Sequence, residues 1–110
     1  MKRGEIWTVS GPAYAGKPRP AVIVQDDRFA ATDSVTICAF TTDPTDAPLI
    51  RLRIDPTGTN GLNETSSLMV DKITTVPRTR LGARVGLLGD EDMLRFGRAA
   101  VVFLGMAGGK

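Results

Sequence analysis

The sequence contains no histidine, and this absence excludes several kinds of catalytic site. A zinc site with histidine ligands, a Ser-His-Asp triad and a Cys-His pair all need an imidazole, as does an imidazole acid–base couple. Catalysis by this chain would therefore use arginine, lysine, carboxylate, hydroxyl or backbone groups.

Cysteine is also scarce, since Cys38 is the only one. It cannot form an internal disulfide, and it lies in the apolar run "VTICAF", so we predict a buried structural thiol in a reducing compartment. The N-terminal "MKRGEIWTV" has no apolar segment typical of an export signal, and no apolar run approaches the ~20 residues of a membrane span. These features predict a cytoplasmic protein without a membrane segment.

The length of 110 residues predicts one domain, residues 1–110, with a core that needs no metal or disulfide. The chain has 14 Lys and Arg against 12 Asp and Glu, a formal net charge of +2. Such a small excess is a weak indication of a polyanionic partner. The local placement of the charges is therefore the better evidence for or against such a partner.

Alternating apolar residues and regularly spaced turn signals predict several short strands. The predicted strands are 4–10, 19–25, 34–42, 48–55, one bent or two short strands over 67–77, and 82–89. Residues 89–105 predict a helix capped by Asp90 and ended by Gly105, with a face that includes Phe96, Val101 and Leu104 packed on the sheet. The fold class is mainly β, a small and strongly bent antiparallel barrel with a C-terminal helix.

Residues 15–25, "AGKPRPAVIVQ", place two cations next to prolines at the start of a strand. Pro18 and Pro20 restrict the backbone on both sides of Arg19, so its guanidinium is held ready to bind a phosphate. A surface arginine paired with Asp26 or Asp27 is the alternative.

Four segments resemble one known family when taken in order. "KRGEIWTV", "GKPRPAVIVQDD", "VTICAFTT" and "TNGLNETSSLMVDKITTVPRTRLGARVGLL" are similar to the MazF/PemK toxins of bacterial toxin–antitoxin pairs. The resemblance implies an SH3-like β-barrel of the MazF/CcdB type, usually a homodimer. It also implies a metal-independent endoribonuclease without a cofactor, an mRNA interferase that cuts single-stranded RNA at short motifs and is neutralised by an antitoxin protein.

Carried over by position, the resemblance implies that Arg19 and Thr41 are the catalytic residues. Many family members have a glutamate before the arginine, whereas "GPAYAGKP" contains no carboxylate, and the base for the 2′-hydroxyl stays unassigned. Thr41 has an alternative role as a cap of the strand end.

Binding of RNA would need further cations, stacking side chains and polar groups. Tyr14 or Phe40 would stack on bases, and the cationic run 72–84 has the alternative of being an ordinary solvated face. The predicted RNA-binding residues are Tyr14, Lys17, Pro20, Thr42, Asp43, Asp71, Lys72 and Arg78.

Two other functions stay open at this point. A CcdB-like gyrase poison would have the same fold and bind a protein without hydrolysis, and an SH3-like module would bind nucleic acid without cutting it. The proline-flanked Arg19 and the threonine of "AFTT" favour the nuclease, which would release a 2′,3′-cyclic phosphate and a 5′-hydroxyl.

Overall fold

Within the described residues the chain forms seven antiparallel strands followed by a helix, which confirms the predicted fold class. A computed structural model describes residues 1–11 and 17–108. The strands are β1 (Glu5–Val9), β2 (Arg19–Ile23), β3 (Ser34–Thr41), β4 (Arg51–Ile54), β5 (Ser66–Met69), β6 (Thr74–Pro77) and β7 (Leu81–Leu87), and the helix is α1 (Asp90–Phe103). Single 3-10 turns lie at Asp27–Phe29, Val70–Lys72 and Arg78–Arg80.

Strand β3 is the centre of the sheet, as its apolar sequence predicts. The strand order is β4-β5-β3-β2-β1-β7, and β6 pairs with β3 as well. β3 therefore pairs with three strands along its length: with β6 and β2 first, and with β5 at its end. Over the described residues the pairing does not close, so the predicted barrel is an open, bent sheet.

Apolar side chains pack on both faces of this bent sheet because residues of a strand alternate in direction. One cluster contains Cys38 and Phe40 of β3 and reaches Phe96 of α1. The other contains Val35, Ile37 and Ala39 of the same strand. The alternation thus assigns the odd-numbered side chains of β3 to the second cluster. In β2, the odd-numbered Ala21 and Ile23 belong to the same cluster.

The region 67–77 is two short strands, one of the two forms that its sequence allows. β5 and β6 are separated by the 3-10 turn Val70–Lys72, so the chain bends there. Pro20 lies near the start of β2, opposite Thr8 of β1. This position is the one expected for a residue that has no backbone N–H to give to the ladder.

Helix α1 begins one residue earlier than predicted. Its N-cap is Gly89, and Asp90 is the first helical residue, so the prediction that Asp90 caps the helix was wrong. Gly105 ends the helix as predicted, with a φ of +71°. The Met106 N–H donates to the carbonyl of Val101 at 2.8 Å, a bond typical of glycine-ended helices.

The face of α1 that contacts the sheet is shorter than predicted. Phe96 is 4% exposed and Ala100 packs beside it, but Val101 and Leu104 are 41% and 59% exposed. The helix makes its main contacts with β4 and the turn Val70–Lys72, and its last turn extends beyond them. The prediction for Val101 and Leu104 was wrong for this reason.

No helix in the described part of the chain combines the length and the apolar character needed to cross a membrane.

Candidate active site

The strands β2 and β3 separate near the end of β3, and we call this place the fork. The two strands pair from Ile23 with Ile37 to Ala21 with Ala39. Beyond that point β2 continues along β1, whereas Thr41 of β3 pairs with Ser67 of β5. The fork arises because the pairing of β2 with one edge of β3 stops at Ala21 and Ala39, while β5 pairs with the other edge of β3 at Phe40 and Thr41.

Arg19 and Thr41 lie on the two sides of the fork. The register of Ala21 with Ala39, continued by two residues, places Arg19 opposite Thr41. Both residues are odd-numbered, so their side chains leave the same face of the sheet. This extrapolated register puts Arg19 and Thr41 across the fork from each other, and their catalytic roles stay a prediction.

The Arg19 side chain is available to a ligand. It is exposed, and no carboxylate within residues 1–11 and 17–108 pairs with it. Asp26 pairs with Arg28 at 3.1 Å, and Asp27 accepts a hydrogen bond from the backbone N–H of Arg3 at 2.7 Å. The alternative interpretation, an ion pair of Arg19 with either aspartate, is not what the structure shows.

A cleft of about 400 Å³ lies on the β4 side of the fork, and we call it the threonine cleft. It is lined by Thr41, Thr42, Asp43, Pro44, Thr45, Asp46, Ala47, Pro48, Arg51, Arg53, Thr65, Ser66 and Ser67. The Thr41 hydroxyl oxygen accepts from the backbone N–H of Asp43 at 3.1 Å, and its own O–H donates to no group within residues 1–11 and 17–108. The predicted residues Thr41, Thr42 and Asp43 thus share one cleft.

A second cleft, of about 290 Å³, lies beside Pro18 and Pro20 and is called the proline cleft. Thr8, Thr42, Ser66 and the loop from Gly61 to Glu64 complete most of its lining. The alternation along β2 directs Pro20 towards this cleft and Arg19 to the other face of the sheet. Glu64 thus lines a cleft on the side of the sheet away from Arg19.

The loop that lines the proline cleft is fixed by a buried asparagine. Asn60 is 2% exposed, and its amide donates to the carbonyl of Asp55 at 2.9 Å. Its side-chain oxygen accepts from the N–H groups of Thr57 and Leu62 at 3.0 Å each. Gly61 follows with a φ of +70°, which disfavours any other residue there.

The other predicted RNA-binding residues lie away from the linings of the two clefts. Asp71 pairs with Arg51, and Arg78 donates to the carbonyls of Ala30 and Thr32. Lys72 is exposed in the turn that follows β5. Contact of these residues with RNA stays a prediction.

Stacking on bases was predicted for Tyr14 or Phe40. Phe40 is 3% exposed and belongs to the core, so its prediction was wrong. Tyr14 lies outside the described residues, and Lys17 is exposed at their edge.

Two arginines of the threonine cleft, Arg51 and Arg53, were not found by the sequence analysis. Both come from β4, where the alternation of residues 49, 51 and 53 indicates one face of a strand. That alternation was the available signal. The alternation does not tell which strand lies next to β4, and so the threonine cleft could not be predicted from it.

Cys38 is expected to react with thiol reagents only when the protein unfolds. Burial, and then the nearby Asp71 carboxylate, raise the pKa of the Cys38 thiol to about 12. Since thiolate is the reactive form, the folded protein at pH 8 should be alkylated by iodoacetamide far more slowly than protein in denaturant. Mass spectrometry against time measures both rates, and equal rates would contradict the buried thiol.

Comparisons with known proteins show the family of the chain. Residues 2–104 match the model of the family described as PemK-like, MazF-like toxin of type II toxin–antitoxin system. A protein of Mycolicibacterium smegmatis named probable endoribonuclease MazF is 60% identical over 109 residues, which cover 98% of this chain and 100% of that protein.

Solved structures share the fold at lower identity. The Mycobacterium tuberculosis toxin MazF-mt6 superposes with a TM-score of 0.80 at 22% identity, over 94% of this chain and 99% of the other. An endoribonuclease from a mycobacterial species, solved with its cognate antitoxin, has a TM-score of 0.81 at 21% identity, over 99% of both chains. With the family model covering nearly all of its length, the chain belongs to the PemK-like, MazF-like toxins of type II toxin–antitoxin systems.

Proposed function

We propose that this protein is an endoribonuclease that cuts single-stranded RNA, and mRNA in particular, without a metal ion or cofactor. The observation that supports the proposal is the register of β2 with β3, which, continued past Ala21 and Ala39, puts Arg19 and Thr41 across the fork on one face of the sheet. The family supports the same activity, since a 60% identical member is named a probable endoribonuclease.

The proposed reaction is a transesterification. The ribose 2′-oxygen attacks the adjacent phosphorus, a P–O2′ bond forms, and the bond to the 5′-oxygen of the next nucleotide breaks. The products are a 2′,3′-cyclic phosphate and a 5′-hydroxyl. Negative charge grows on the phosphorane oxygens and on the leaving oxygen, and a preorganised cation stabilises such charge strongly.

Arg19 suits the charged phosphorane because a guanidinium offers two parallel N–H donors and stays protonated. The O–H of Thr41 would donate to a nonbridging oxygen or to the leaving oxygen. The proton of the 2′-hydroxyl passes to solvent late in the reaction, and the leaving oxygen takes one from water. Electrostatic stabilisation, rather than an assigned base, thus supplies most of the catalysis.

The test is incubation of purified protein with a long RNA in excess chelator. We expect cuts at a short sequence motif, read at nucleotide resolution, and 5′ ends that polynucleotide kinase phosphorylates without prior phosphatase treatment. RNA that stays intact but bound would indicate a non-catalytic nucleic-acid module. RNA that is neither cut nor bound would favour a toxin that acts by binding a protein.

We further propose that the protein acts in the cytoplasm as a homodimer and is neutralised by a protein antitoxin with an acidic, apolar tail. Support for a dimer comes from α1 and the residues that follow it, where large apolar side chains are exposed: Leu94, Val101, Val102, Phe103, Leu104 and Met106. Such a patch commonly marks a protein interface. The mycobacterial structure described as a complex with its cognate antitoxin has the same fold.

A further inference from the structure

A row of polar side chains runs from the fork across three strands. Thr41 of β3 is opposite Ser67 of β5, and Ser67 is opposite Arg53 of β4. Directly opposed residues project from the same face of a sheet, so these three side chains lie side by side on one face. Arg19 continues the row on the other side of the fork. The row therefore has a guanidinium at each end and two hydroxyls between them.

Arg53 is the arginine of β4 that is available to a ligand. Arg51 also lines the threonine cleft, but Asp71 neutralises it. Arg53 is exposed, and within the described ranges no carboxylate pairs with its guanidinium. An exposed cation at the floor of a polar cleft is the arrangement expected for an anion contact.

We propose that Arg53 binds a second phosphate of the RNA strand, next to or near the one that is cut at Arg19 and Thr41. Two strand spacings separate the backbones of Thr41 and Arg53, about 10 Å. Strand side chains stand roughly perpendicular to the sheet, so the Arg53 guanidinium projects beside a phosphate other than the one at Thr41. The nucleotide between the two phosphates occupies the threonine cleft, whose volume of about 400 Å³ is within the range of ligand sites.

The acids of the same cleft suit a base rather than a phosphate. Asp43 accepts from the backbone N–H and the hydroxyl of Thr45 at 3.1 Å and 2.9 Å, which fixes its carboxylate on the loop after β3. Asp46 lies on the same loop. Carboxylates accept hydrogen bonds from exocyclic amino groups of bases. Asp43 and Asp46 would therefore face the base, while Arg53 contacts the phosphate backbone of the RNA.

The inference rests on the proposed function, and its test separates the two. The probe is an RNA oligonucleotide that contains the mapped cut motif, with hydrogen in place of the attacking 2′-hydroxyl so that it binds without being cut. Arg53→Ala should weaken binding ~10-fold or more, since hydrogen bonds to charged groups are strong. It should also reduce the slope of log K against log salt by ~0.7, the loss expected for one single-strand phosphate contact.

A neutral methylphosphonate placed at each position in turn identifies the phosphate. With the unchanged protein, the position that Arg53 contacts should bind more weakly when neutralised. With Arg53→Ala, neutralising that same position should have no further effect. Arg53→Lys should keep most of the salt dependence because it keeps the charge.

Arg28→Ala is the matched control, since it removes the same charge from an exposed arginine outside both clefts. If Arg53→Ala behaves like Arg28→Ala while the unchanged protein still cuts RNA, the role of Arg53 is refuted and the proposed function stands. If the unchanged protein neither cuts nor binds RNA, the proposed function itself fails.

Discussion

Replacing Arg19 by alanine is expected to lower kcat for RNA cleavage by about 10³ to 10⁵, the contribution of one catalytic arginine in other phosphoryl-transfer enzymes. The side chain is exposed at the start of β2 and makes no ion pair in the described ranges, so its removal takes nothing from the core. The midpoint of thermal unfolding should therefore change little. Because the guanidinium acts mainly on charge that develops in the transition state, kcat should fall much more than KM rises.

Two further variants sharpen this result. Arg19→Lys keeps the charge but loses the two parallel donors, so its rate should stay well below that of the unchanged protein. Arg28→Ala, which removes an exposed arginine paired with Asp26, should leave kcat near its starting value. Initial rates on one fluorogenic RNA measure all three. A loss of less than about 10-fold in Arg19→Ala would remove Arg19 from the mechanism.

A substrate that lacks the 2′-hydroxyl at one cut site is expected to resist cleavage there completely. The attacking oxygen comes from the substrate itself, and with hydrogen in its place no bond to phosphorus can form. The phosphates are unchanged, so most of the binding free energy should remain. Gel electrophoresis of products and a filter-binding measurement on the same oligonucleotide give both quantities.

An unmodified second motif on the same oligonucleotide is the internal control. It should be cut at the normal rate, which shows that the protein is active on that molecule. If the deoxy site were cut as well, water would be the nucleophile, and the products would carry an ordinary phosphate end instead of a cyclic one.

The sequence predicted the central strand because burial on both faces depends on a local pattern, whereas Arg19 and Thr41 were named as a pair through the resemblance to the family. An apolar run such as 34–42 must be buried on both faces, and a proline-flanked arginine is visible in any window that contains it. The cap of α1 was mispredicted by one residue, because Gly89 in an extended conformation serves where Asp90 was expected.

The fork and the row that leads to Arg53 could not be read from the sequence. They depend on which residue of β3 faces which residue of β5, and on β4 lying beside β5, and these are pairings between distant segments. Alternation gives the face of a strand but not its neighbour. Similarly, the ionic character of Asp71 was visible, whereas its pairing with Arg51 was not.

The pairing of β2 with β3 ends before Arg19 and Thr41, so different strands hold these two residues in place. Arg19 is paired with Val9 of β1, and Thr41 is paired with Ser67 of β5. A misplacement of about 1 Å between catalytic groups costs roughly 10²-fold in rate. Warming that loosens the start of β2 or the end of β3 would thus lower the rate of RNA cleavage while the core is still folded. Inactivation would then come at a lower temperature than denaturation.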